Sequence, residues 1–194
     1  MKNIFIILFF PFVSLSQDID IRPMPDNINS INAELNFIQI DDSTAYFTVV
    51  SEINNRLESN IYSTSFIDGS WSKKNYSIHN SDLFNTSNIT FLDTKKSFIT
   101  RCDYDMLNCK IVLLDNNSND GYRNIPPLLS DQFFNTQASI SDNNLHTALY
   151  FVSNRKGGFG GLDIWLSIVD NDGNLGVPIN AGNKINSSAD EITP

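Results

Sequence analysis

The chain has 194 residues, with 22 acidic against 13 basic side chains and a formal net charge of −9. That balance argues against nucleic acid as a partner, because neutralising a phosphate backbone requires clustered Lys and Arg. Only 18% of the residues are charged, and Asn, Ser, Asp and Thr crowd the stretches between short apolar runs, which is the composition of many strands joined by turns.

At the amino terminus Lys2 supplies a positive charge, residues 4–13 are apolar, and Ser14-Leu15-Ser16 places small residues where a signal peptidase reads. Residues 1–16 are therefore expected to be a signal peptide, with Gln17 the first mature residue. The alternative is a membrane anchor, but the run is well short of the roughly 20 residues a spanning helix needs, and Pro11 interrupts it. Gln17, not a cysteine, stands directly after the cut, so lipid attachment at that point is not indicated, and no later stretch is long and apolar enough to span. The mature chain, 17–194, is expected to be exported, periplasmic or outer-membrane associated, without a transmembrane segment.

Beyond the leader a repeat emerges. Tyr46-Phe47, Phe98-Ile99 and Tyr150-Phe151 sit inside strand-like runs, each 52 residues after the last. A second apolar run follows each pair, at 61–63, 111–114 and 164–167. Next come Asp68-Gly69, Asp120-Gly121 and Asp172-Gly173, where glycine tolerates the positive φ of a tight hairpin. The units also begin alike, with Asn85-Thr86-Ser87 matched by Asn135-Thr136-Gln137 and Asn186-Ser187-Ser188.

A period near 50 residues carrying several short strands is that of a propeller blade, a small antiparallel sheet that buries its faces against its neighbours. The expected fold is all-β, a partial β-propeller of about three four-stranded antiparallel blades cut from a longer one. Blades are placed at about 28–84, 85–134 and 135–185, with 186–194 opening a further blade. In the third unit the strands are expected near 137–140, 147–153, 163–169 and 177–179. No segment past the leader has a sustained helical period.

The third unit carries the most specific pattern. It reads Leu149-Tyr150-Phe151-Val152-Ser153-Asn154-Arg155-Lys156-Gly157-Gly158-Phe159-Gly160-Gly161-Leu162-Asp163-Ile164-Trp165, followed by Val177-Pro178-Ile179-Asn180. This resembles the WD-like, TolB-type propeller repeat of Gram-negative envelope proteins, with Asn154, Arg155, Gly157, Gly158, Gly160, Gly161 and Asp163 as the blade motif. The first two units keep the strand pattern without that signature. The resemblance implies an envelope setting, with relatives often fused to an OmpA-like peptidoglycan-binding domain that is absent from these residues, and some accompanying type IX secretion in gliding bacteria. Envelope proteins are the implied partners.

The glycine cluster at 157–161 invites a phosphate loop, but such loops lead into a helix, and here a strand follows. A wide hairpin, with Phe159 packing and Arg155 pairing with Asp163, is the structural alternative. Residues 170–174 have spaced oxygen ligands, yet Leu175 and Ala181 stand where an EF-hand needs glycine and glutamate, and 115–121 fails similarly. His79 and His146 are isolated, so no metal or cofactor is expected.

Catalysis needs converging groups that no linear motif supplies here. There is no Gly-x-Ser-x-Gly elbow, and Glu34, Glu52, Glu58 and Glu191 are the only glutamates. The chain is therefore expected not to be an enzyme but a protein-binding or scaffolding module, docking through the loops at 52–60 and 155–161; the propeller domain of a secreted glycosidase or peptidase is the alternative. Cys102 and Cys109 flank a hairpin of the middle blade and are expected to form a disulfide, two buried thiols being the other possibility.

Overall fold

The computed structural model describes residues 23–116, 132–143 and 145–194, with residues 123 and 124 described by backbone alone. The expected signal peptide and the Asp120-Gly121 turn lie outside the described residues, as does most of the 115–121 segment. Among the described residues no helix is long and apolar enough to cross a membrane, and the secondary structure is all β.

Three antiparallel sheets follow one another along the chain. The first contains β1 (Ala33–Gln39), β2 (Thr44–Ile53), β3 (Arg56–Ile67) and β4 (Ser70–Trp71), with β5 (Asn75–Tyr76) also on β3. The second contains β6 (Asn85–Phe91), β7 (Lys96–Cys102), β8 (Cys109–Asp115) and β9 (Arg123–Asn124). The third contains β10 (Asn135–Asp142), β11 (Thr147–Ser153), β12 (Asp163–Val169) and β13 (Ile179–Asn180). Within each sheet successive strands are hydrogen-bonded neighbours, giving three propeller blades that form an open array rather than a closed ring.

Residue alternation along the second strands explains why the blades stack. Successive side chains of a strand point to opposite faces, so a blade held between two others must be apolar on both. The middle blade meets this requirement. Phe98, Ile111 and Leu113 face the third blade and pack with Ala138, Leu149, Phe151 and Trp165. Ile99, Val112 and Leu114 face the first, packing with Ile61, Tyr46 and Ile38. The outer face of the first blade carries Phe47 and Val49, and Met24 and Ile28 of the preceding segment cover it.

Turn chemistry sets the hairpins. Asn54 and Asn55 have φ of 54° and 61°, the left-handed pair that a two-residue type I′ turn demands, and they join β2 directly to β3. The segment 52–60, expected as a contact loop, is thus strand apart from those two residues, with Glu52 paired to Leu57. Asp68 and Gly69 make the expected turn between β3 and β4, with φ of 50° and 81°.

The start of the repeating unit is corrected at its last occurrence. Asn85 and Asn135 open β6 and β10. Asn186, however, accepts a hydrogen bond from Ile164 N at 2.8 Å, just as Asn80 does from Ile61 N at 2.7 Å. Each amide supplies the acceptor for that third-strand N–H, while the carbonyl of the same third-strand residue accepts from Ser77 N or Ala181 N. Asp190, accepting from Leu162 N as Asn85 accepts from Ser59 N, is the residue that matches Asn85.

Cys102 and Cys109 are opposite each other at the end of β7 and β8, their Cα atoms 4.0 Å apart, and are joined by the expected disulfide. Asp103 closes the loop between them, its carboxylate accepting from Leu107 N, Asn108 N and Asn108 Nδ2, and these bonds from Asn108 foremost hold its pKa below the usual value. Replacing both cysteines by serine is expected to cost about 2–3 kcal/mol on the chain-entropy model of so short a loop. Denaturant unfolding of the oxidised wild type against the double variant measures it, and coincident midpoints would show that the bridge adds nothing.

Candidate ligand-binding site

Two groups of residues are candidates for function, the glycine-rich hairpin of the third blade and a set of amides where the blades converge. The hairpin is built around Asp163. Its carboxylate is buried at 1% exposure and accepts from Phe159 N at 3.0 Å and Gly160 N at 3.3 Å. The wrapping requires bare backbone. A Cβ at Gly158 would collide with the Asp163 carboxylate, and one at Gly160 with the Ala189 carbonyl. Gly161 leaves room for Asp190, while Gly157 turns the chain at φ 97°.

Arg155 lies beneath this turn. Its guanidinium donates to Asn135 Oδ1 at 2.9 Å and to Ser153 Oγ, and sits 4.8 Å from the Phe151 ring centre and 5.3 Å from that of Trp165. Burial lowers its pKa to about 10, so it stays charged at neutral pH. Asn154 Oδ1 accepts from Phe134 N, tying the hairpin to the start of β10. The seven motif residues thus come together as a self-satisfied turn, and the phosphate-loop alternative has no free amide cradle at Asp163.

Two further carboxylates, Asp170 and Glu34, are likewise engaged. Asp170 accepts from Asn174 Nδ2, Asn174 N and Asp172 N, and these bonds, from Asn174 foremost, hold its pKa low. Burial pushes Glu34 upward, but bonds from Ser30 and Lys74 outweigh it and leave the carboxyl below its usual value. Among the described residues no group of His, Cys, Asp or Glu is arranged to hold a metal ion. His79 is buried against Tyr46 and Phe91, its Nδ1 2.8 Å from Ser77 Oγ, and burial lowers its pKa.

The sequence did not single out the second group. Each blade's first strand carries a bulge, seen as a register shift between Leu35 and Ile38, between Ser87 and Ile89, and between Thr136 and Ser139. At the bulges stand Asn36, Asn88 and Gln137, with φ of 55°, 48° and 53°. A bulge redirects a side chain out of the sheet's alternation. Asn36 Nδ2 donates to Gln137 Oε1 at 3.2 Å, so the first strands of blades one and three meet across the blade between them.

Around this convergence lie two cavities. One, of about 270 Å³, is bounded by the three amides with Phe37, Thr90 and Ser139. The other, of about 300 Å³, lies on the far side of Asn36 and Gln137 and is mostly apolar, with Val50, Val152, Leu162 and the disulfide in its wall. Thr193 and Pro194 complete the wall of the first, and among the described residues neither cavity is lined by an acidic or basic side chain. The only signal for these amides in the sequence is that Asn36 and Asn88 share the 52-residue period.

No family model and no curated protein matches the chain. Among solved structures it is similar to a thermostable family-43 glycoside hydrolase, with a TM-score of 0.51 and 19% identity, over 83% of this chain and 57% of that one. The chain therefore spans less than two thirds of that structure's length, and the likeness is one of fold: an all-β propeller architecture. It corrects the expectation that the chain is not an enzyme, since the structure sharing its fold is a glycoside hydrolase. The physical reason is that a glycosidase gathers its carboxyls from separate strands, so no linear motif need announce them.

Proposed function

We propose that this chain belongs to the propeller domain of a secreted hydrolase acting on glycosides, with the converging first strands forming its substrate-binding surface. The observation that carries this reading is a cavity at the meeting point of three blades whose described side chains are amides, hydroxyls and apolar groups, in a fold similar to that of a glycoside hydrolase. Neutral hydroxyl-rich ligands suit such a wall, which offers donors and acceptors without a fixed charge. The acid–base pair would have to reach the ligand from outside these two cavities. Export is part of the proposal, supported by the leader at 1–16 and by the disulfide. An outer-membrane setting is supported by the resemblance of the third blade to envelope repeats.

The exported, oxidised chain should release sugar from at least one member of a panel of aryl glycosides and plant or bacterial polysaccharides. Absence of turnover across the whole panel would remove the reading. A second proposal, docking of an envelope protein at the hairpin rim, is supported by exposed Ile53 and Leu57 beside the Asn54-Asn55 turn. It would show as a co-purifying protein lost on the double change Ile53→Ser, Leu57→Ser.

A further inference from the structure

The bulge amides hold a feature that packing alone does not explain. Left-handed backbone disfavours residues bearing a Cβ, and glycine adopts it without that cost. Asparagine enters this region more readily than most residues, so Asn36 and Asn88 are accommodated, but Gln137 has no such preference and still completes a set of three amides. Residues held in such conformations concentrate at binding sites, where the backbone cost aims a side chain.

Asn88 supplies the independent observation. It is 9% exposed, and among the described residues its Oδ1 is a buried acceptor with no hydrogen-bond donor. Its backbone N–H is satisfied by Thr48 Oγ1 at 2.9 Å, which fixes the bulge while the buried amide oxygen is left without a donor among the described residues. A buried acceptor of this kind calls for a donor that the described residues do not supply. The adjoining Asn36–Gln137 pair retains further amide donors and lone pairs beyond the one bond between them.

We propose that Asn36, Asn88 and Gln137 form a binding site for one neutral sugar residue, whose hydroxyl donates to Asn88 Oδ1 while the Asn36–Gln137 pair contacts neighbouring hydroxyls. The chemistry follows from the wall. With no charged side chain among the described residues that line the cavity, an ionic ligand would lack a side-chain partner there. Thr90 and Ser139 add hydroxyls, and Phe37 adds an aromatic ring for the apolar face of a pyranose or furanose ring. The proposal deepens the glycoside reading and rests on it for the ligand class, but its test can fail separately.

The test uses the full chain, exported and oxidised, with xylobiose, cellobiose and N,N′-diacetylchitobiose as probes. Titration calorimetry and ligand-observed NMR should detect at least one of them binding, with Kd on the order of millimolar for so small a polar contact. Asn88→Gly keeps the left-handed backbone while deleting the amide, and should weaken binding about tenfold or more, as loss of a hydrogen bond to a buried group does. Its melting temperature should not fall, because an unpartnered buried acceptor has been removed; Gln137→Gly should weaken binding as well. Failure of all three probes to bind wild type, or equal binding by wild type and Asn88→Gly, would overturn the site and leave Asn88 Oδ1 to an ordered water. Turnover of aryl glycosides with KM unchanged in Asn88→Gly would overturn the site but keep the hydrolase reading. Binding lost in Asn88→Gly, with no turnover by wild type, would keep the site and remove the hydrolase.

Discussion

Replacing Phe98 by alanine is expected to destabilise the chain by about 3–5 kcal/mol, the range for emptying a fully buried aromatic position. Phe98 has no exposed surface and lies between the second and third blades, packed with Leu113, Leu149, Phe151 and Trp165. Little can move in to fill the space. Each neighbour is fixed in a strand whose register is set by hydrogen bonds on both sides, so the blades can close on the void only by shifting as bodies. With total stabilities of domains near 5–15 kcal/mol, such a loss should be plain in urea unfolding followed by tryptophan fluorescence. Tyr46 is the equivalent residue one unit earlier, and it is only partly buried, so Tyr46→Ala should cost distinctly less. Equal losses at the two positions would show that blades two and three do not share a core.

The contrast between these residues also marks what the sequence could reveal. The recurrence of Tyr46, Phe98 and Tyr150 at 52-residue intervals exposed the stacking direction, because a strand buried on both faces must place paired large apolar residues at every blade. Asp68-Gly69 and Asp172-Gly173 marked turns for an equally direct reason, since glycine in a positive-φ position leaves a compositional trace. Bulges leave no such trace. Asn36, Asn88 and Gln137 do the conformational work of glycine while carrying side chains that suit any exposed strand, so the converging amides stayed hidden until the strands were paired. The 52–60 segment is expected as a loop from its place between the second and third strands of the repeat; the type I′ pair Asn54-Asn55 shortens that connection to two residues instead. The mistaken start at Asn186 has a similar origin. Asn80 and Asn186 satisfy the third strand from beyond its blade, a role that shares its residue type with Asn85 and Asn135 and differs only in the strand position contacted. Nor could the enzyme question be decided by scanning, because groups that meet at a propeller's centre are about fifty positions apart in the chain.

Asp163→Ala is expected to cost about 3 kcal/mol, from two backbone donors losing a charged acceptor at a site shielded from water. The hydrogen bonds from Phe159 N and Gly160 N hold the glycine turn closed, and that turn in turn brings Leu162 to Asp190 and Glu191. Losing the carboxylate should therefore loosen residues 157–162 before the β11–β12 ladder itself, visible as faster amide exchange confined to the hairpin. The role of the glycines can be separated from that of the carboxylate by a double-mutant cycle. Gly158→Ala alone forces a methyl group into the Asp163 carboxylate, whose Cγ would lie 2.8 Å from the new Cβ. With Asp163 already alanine, the nearest remaining atom of that side chain is its Cβ at 3.6 Å, an ordinary contact. Gly158 is not in a positive-φ conformation, so alanine there meets no backbone penalty of its own. The second substitution should consequently cost little in the Asp163→Ala background although it is damaging in wild type, a coupling on the order of 1–3 kcal/mol. Strict additivity of the two changes would mean that the glycine is required for some reason other than room for the aspartate. A strongly coupled cycle would assign the Gly-Gly-Phe-Gly-Gly run to the fold of the third blade, leaving the converging amides as the place to look for ligand.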